Sequence, residues 1–249
     1  MDKLAFTGLV IAIAAVFGGY AVEGGGISAL FQLPAFIIVF GGTFGAVMLQ
    51  TPKSDFIHSI TLFPLIWKSP TYDFNLYKLK LCKWADIARQ KGFLALEHQV
   101  HTETDPFVKK ALMMLIDGVD KDVLRESLEL EAQLESEHKN RAANVYESLG
   151  GYSPTIGIIG AVLGLIQAMA NINDPLVLGQ GIATAFVATI YGVASANLLF
   201  IPFGEKLKTQ IDEELLYREM IILGLLSTAN GENPQNISRK LDAYQREFV

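Results

Sequence analysis

Of the 46 Asp, Glu, Lys and Arg residues in this chain, 42 lie at positions 51–150 and 205–249, and only Asp2, Lys3, Glu23 and Asp174 lie elsewhere. No single soluble core divides its charge in this way. The near-uncharged stretches come in two tight pairs, Leu4 to Val22 with Leu33 to Leu49, and Tyr152 to Ala170 with Gln180 to Phe203, none of which contains Asp, Glu, Lys, Arg or His. Each is close to the roughly 20 apolar residues that cross the hydrocarbon core of a bilayer. One such stretch could be a buried helix of a soluble protein; four in two pairs predict four transmembrane helices. A mean hydropathy of +0.32 and a charged fraction of 18%, against about a quarter in ordinary domains, agree. A net charge of −6 argues against a nucleic-acid partner.

Orientation follows from Lys and Arg in the connections, because these residues decide which side stays in the cytoplasm. Connections 23–32 and 171–179 contain none, whereas 51–150 contains thirteen and the tail from 204 contains six. Both termini and the large central segment are therefore expected on the cytoplasmic side. A cleaved signal peptide is a poor reading of the first stretch, which lacks a small-x-small cleavage site and is long for such a segment. The lone Cys82 suits a reducing compartment. The expected organisation is all-α: transmembrane helices 1 and 2 in 1–50, a cytoplasmic helical domain in 51–150, transmembrane helices 3 and 4 in 151–204, and C-terminal cytoplasmic helices in 205–249.

Segment 53–67 is apolar but interrupted by Pro64, and reads as a helix lying along the membrane surface with Trp67 as an anchor. Tyr77, Leu81, Trp84 and Ala88 share one helical stripe that Gly92 ends. Phe107, Ala111, Met114 and Leu115 mark a second helix stopping near Gly118, and Asp120 is placed to cap a third. Leu207, Ile211, Leu215 and Ile222 keep helical phase after the fourth span, and Asn230-Gly231-Glu232-Asn233-Pro234 is a turn before a terminal helix.

Enzyme signals are absent. His58, His98, His101 and His138 lack ligand-like spacing, there is no phosphate-cradling loop, and no nucleophile has a plausible base. No catalytic residue, metal or cofactor is expected. The third and fourth spans carry small-residue faces instead, with Gly157, Gly160 and Gly164 on one and Ala188, Gly192 and Ala196 on the other. Such faces let backbones approach closely, either within one subunit or toward a partner helix. Polar groups at this depth are few: Thr155, Gln167, Thr184, Thr189, Tyr191, Ser195 and Asn197. Pro154 and Pro202 bracket the pair; the first suits a helix start, the second a kink or hinge. Ion relays in membranes usually rest on an intramembrane ionisable group. If this chain conducts ions, the titrating group must come from a partner.

Four runs carry a resemblance: Ala88-Arg89-Gln90-Lys91-Gly92-Phe93-Leu94-Ala95-Leu96-Glu97, Ser153-Pro154-Thr155-Ile156-Gly157-Ile158-Ile159-Gly160-Ala161-Val162-Leu163-Gly164-Leu165, Ala188-Thr189-Ile190-Tyr191-Gly192, and Asn230-Gly231-Glu232-Asn233-Pro234. In order and over nearly the whole chain, they resemble the bacterial flagellar stator family MotA/PomA. The resemblance implies a subunit without enzymatic reaction, in a ring held to be a pentamer, in the inner membrane. Its single-span partner of the MotB/PomB kind grips peptidoglycan and supplies the membrane aspartate; torque goes to the rotor protein FliG. By position, Pro154 and Pro202 resemble the family's coupling prolines, Arg89 and Glu97 its rotor-facing charges, and Thr189 a threonine lining the ion path. Ala161 stands where sodium-driven members typically carry a second threonine, and Gln32 where they often carry an acid; both imply protons. The related TolQ/ExbB proteins usually have three spans with the large cytoplasmic segment after the first, unlike this chain. A transporter or scaffold would show substrate contacts or an internal repeat, and neither is visible.

Overall fold

A computed structural model describes residues 3–68 and 70–245, which fold into helices joined by short turns, with no strand among them. Helix α1 is Lys3–Val22 and α2 is Leu33–Gln50, with Pro34 in its first turn, where a missing N–H costs nothing, and a wide π-turn at Ile37–Gly41. Helix α3 is Lys53–Trp67. Pro64 lies inside it, and the helix closes with the Lys68 N–H donating to the Pro64 carbonyl at 3.0 Å. Helices α4 (Phe74–Lys91), α5 (Glu97–Thr102) and α6 (Pro106–Ile116) come next. After them stand two very long elements, α7 (Lys121–Ala170) and α8 (Pro175–Ala229), and the terminal α9 (Pro234–Gln245). Four of these helices, α1, α2, α7 and α8, are long and apolar enough to cross a membrane.

The boundaries have local causes. Asp73, Asp105, Asp120, Asp174 and Asn233 each accept a main-chain N–H at a helix start. Gly92 and Gly231 end helices at φ +79° and +69°, a region a side chain resists. The third span does not begin at Pro154 but continues the charged helix that Asp120 caps. Pro154 therefore sits far inside α7, where it cannot donate to the Gly150 carbonyl. The helix runs on through it with the neighbouring span packed against the break, where Gly192 lies on Pro154 and Ile201 on Gly150.

The chain divides into two compact units: the described residues up to Pro70 with His138–Thr209, and Thr71–Glu137 with the described residues from Gln210 onward. In the second unit, Tyr77, Leu81, Trp84 and Ala88 are all buried, against Leu112, Leu124, Leu128, Met220, Leu225 and Leu241. Arg218 holds Glu135 through two nitrogens at 2.5 and 2.9 Å and Glu214 at 2.7 Å, with its guanidinium over the Phe107 ring. Glu103 is buried, which favours its neutral form. The Tyr77 hydroxyl at 2.7 Å, Lys80 at 3.0 Å and the main-chain N–H groups of Asp105 and Thr104 outweigh this and hold it below the ordinary glutamate range.

A carboxylate whose folded-state pKa is depressed stabilises the fold above its unfolded value of about 4.3, and that contribution is lost as pH falls through the lower folded value. Glu103→Gln should therefore melt at a lower temperature than the parent at pH 7. The gap should close as pH drops below about 4. Thermal melts of the detergent-solubilised chain, followed by tryptophan fluorescence, check this; a gap constant with pH would show that Glu103 carries no linked proton.

In the first unit, no residue of α1 is buried. On α3, Asp55, Ser59, Leu62 and Ile66 face inward while Ile57, Ile60 and Phe63 are exposed, so the open face of this helix is the apolar one. The Tyr146 hydroxyl donates to the Ser59 carbonyl at 2.9 Å, and Phe203 packs edge-on against Phe63, Trp67 and Tyr146.

Candidate functional site

The small-residue faces of α7 and α8 meet each other within the chain. A Cβ on Gly157 would lie 3.0 Å from the Ala188 carbonyl oxygen, and one on Gly164 would lie 2.8 Å from both the Ala185 nitrogen and the Gly181 oxygen. At Gly192 it would lie 2.5 Å from the Ser153 oxygen and 3.2 Å from the Pro154 Cα; at Gly160, 2.8 Å from the Ala188 Cβ. At Gly157, Gly164 and Gly192 backbone meets backbone, and at Gly160 the neighbour is the Ala188 methyl, so the seam has no room for a larger side chain at any of the four. The seam is closed behind by α2, whose Ala35 and Val39 are buried with Val187 and Ala188. Tyr191 reaches across from α8 to donate to the Leu30 carbonyl and packs against Phe36 and Phe40.

Ala161 and Thr189 are half-buried, and each is the chain neighbour of a residue in the Gly160–Ala188 contact. The Thr189 hydroxyl donates to the Ala185 carbonyl at 3.2 Å, which leaves its oxygen lone pairs to accept. Thr155, Thr184 and Asn197 bond to carbonyls of their own helices, as hydroxyls and amides in spans commonly do. Beside the seam, Gln32, Gln167, Gln180 and Thr184 with Pro34 and Ile38 line a groove of about 320 Å³.

Both prolines sit where the helical ladder is broken. Pro154, half-buried, frees the Gly150 carbonyl; Pro202, exposed, comes just after a π-turn at Ala196–Phe200, in which the Ile201 N–H reaches back to the Ala196 carbonyl. These two breaks touch, because a Cβ on Gly150 would lie 2.5 Å from the Ile201 Cγ1. Sequence reading missed this meeting, since the contact depends on the register between two helices. It also missed the buried pair Ser153 and Ser195, whose hydroxyl oxygens lie 2.6 Å apart across the seam.

In the second unit, Arg89 near the end of α4 and Glu97 at the start of α5 are both exposed and form no ion pair among the described residues. Charges placed so are free for an outside partner. Among the histidines, His58 and His138 pack ring to ring at 4.5 Å, a pairing that spacing did not reveal.

The family model described as MotA/TolQ/ExbB proton channel family matches residues 99–220, and that of the Motility protein A N-terminal region matches residues 6–92. Motility protein A of Bacillus subtilis is 33% identical over 246 residues, covering 98% of this chain and 91% of the relative. The C. jejuni MotAB structure superposes with a TM-score of 0.92 at 31% identity, covering 98% of this chain and 96% of the matched one. The flagellar MotAB stator complex of Bacillus subtilis gives 0.88 at 31%, covering 99% and 100%. Four apolar helices, a glycine seam between the third and fourth, and likeness along nearly the full length of these proteins lead to one conclusion: the chain belongs to the motility protein A family of flagellar stator subunits, within the MotA/TolQ/ExbB proton channel family.

Proposed function

We propose that this chain is the ring-forming subunit of a proton-driven flagellar stator in the bacterial inner membrane, with both termini and the segments 51–150 and 205–249 in the cytoplasm. The observation that carries the reading is the seam itself: two spans packed backbone to backbone, with half-buried Thr189 and Ala161 beside the contact and no carboxylate in any span. The titrating acid then belongs to a MotB-like single-span partner that grips peptidoglycan, enclosed by a ring of about five copies of this chain. Ala161 offers no oxygen to a dehydrated sodium ion, which favours protons. The family match at residues 6–92 weighs against a TolQ/ExbB-like role in energising an outer membrane.

Each charge crossing the membrane releases about 2.3 kcal/mol per 100 mV. One proton thus drives only a small displacement, and Pro154 and Pro202, whose ladder breaks touch at Gly150 and Ile201, are where a small displacement costs least. Arg89 and Glu97 present that movement to the rotor protein FliG. The chain itself carries no reaction.

Expressed with its partner in a stator-null cell, the chain should restore swimming that stops when the proton gradient is collapsed and persists without sodium. Swimming that needs sodium would overturn the choice of ion, and none under any gradient would overturn the stator role. Arg89→Glu should cut torque severalfold, with partial recovery when a rotor acid is reversed to Lys. Such charge contacts act mainly through steering and register and weaken with salt. No recovery in any pairing would remove Arg89 from the rotor contact.

A further inference from the structure

We propose that the Ser153–Ser195 hydroxyl bridge is a positioning contact for torque generation, tying the two ladder breaks of the seam together so that a shift of one moves the other. The proposal rests on the stator reading. Both side chains are buried, their oxygens are 2.6 Å apart, and each stands beside a break: Ser153 before Pro154, and Ser195 immediately before the π-turn that opens at Ala196.

The direction of the bond is set by the number of protons. Each serine has one hydroxyl proton. That of Ser195 is directed to the Tyr191 carbonyl at 2.6 Å, with the Gly192 carbonyl further off at 3.2 Å, so Ser153 donates to the Ser195 oxygen. The chain Ser153 to Ser195 to Tyr191 ends on a main-chain carbonyl, which cannot pass a proton onward. A relay is therefore excluded, and what remains is a tether. Around it the backbones of Ser153, Pro154 and Gly192 are already in contact, so the bond fixes a register and does not close a gap. Hydrogen bonds between spans are weak individually. A bridge of this kind holds two deformable segments in step without locking them.

The test uses the full chain with its partner in a stator-null cell, reading stall torque and the number of docked stator units by fluorescence. Ser153→Ala should lower torque per docked unit about twofold at unchanged membrane level and unchanged docking. Ser195→Ala should lose at least as much, and the double variant should match Ser195→Ala alone, because the shared bond is already gone. Unchanged torque in Ser153→Ala, additive losses in the double variant, or a loss that tracks the number of docked units would each overturn the proposal. A parent chain that restores no swimming at all sinks the stator reading and this proposal with it, and is seen before any serine is altered.

Discussion

Gly192→Val should abolish swimming and lower the amount of assembled stator severalfold. The added Cβ would lie 2.5 Å from the Ser153 carbonyl oxygen, 3.1 Å from the Gly157 Cα and 3.2 Å from the Pro154 Cα, all of them backbone atoms. A flexible side chain could swing aside; a helix backbone cannot. The spans would have to separate, losing the Gly157 contact and the Ser153–Ser195 bond together. Overpacking of this kind typically costs about 1–3 kcal/mol, and in a seam without slack the upper end applies. Gly151→Ala is the matched control, because a Cβ there meets nothing within 4 Å. Membrane level, complex recovery and swimming speed are the measurements. Normal swimming by Gly192→Val would mean that the seam is not held closed in the working stator.

Pro202→Ala should have the opposite signature, with a stable protein that generates at most about a tenth of the parent torque. Alanine is favoured over proline in a helix interior by about 3 kcal/mol, so the variant should melt no lower than the parent. The new N–H at position 202 can bond the Leu198 carbonyl and lets the wide turn at Ala196–Phe200 anneal to regular α-helix. Removing one residue from the turn count rotates the helix beyond the turn by about 100° relative to the helix before it. Ile201 would then leave Gly150, and the contact between the two ladder breaks would be lost. Torque from a tethered bead, measured with docking number and melting temperature, separates this from simple misfolding. Parent-level torque in Pro202→Ala would show that the break at the fourth span takes no part in coupling.

Much of this architecture is legible in the residues because its causes are local or periodic. The four spans read from the absence of charge, and the stripe of Tyr77, Leu81, Trp84 and Ala88 is buried as its spacing implies. The turns at Gly92 and Gly231 read equally well, since only glycine takes those φ values easily. Pro154 is the exception. A proline at the entrance of an apolar span looks like the start of a helix, and nothing local says otherwise. What carries α7 through it is packing from the neighbouring span, with Ile201 filling the space beside Gly150 and Gly192 lying on Pro154. Tertiary contact overrode the local signal.

By itself, the sequence determined that the chain has four stretches long and apolar enough to span a membrane, that its charges fall almost wholly outside them, and that no titrating carboxylate lies in the spans. These features arise from solvation, which acts on each segment regardless of its neighbours. Only the tertiary structure decided that the two small-residue faces close on each other within one chain, that the two proline breaks touch, and that Ser153 meets Ser195. Those depend on the register of α7 against α8, and a helix alone does not fix which of its turns will face which turn of another.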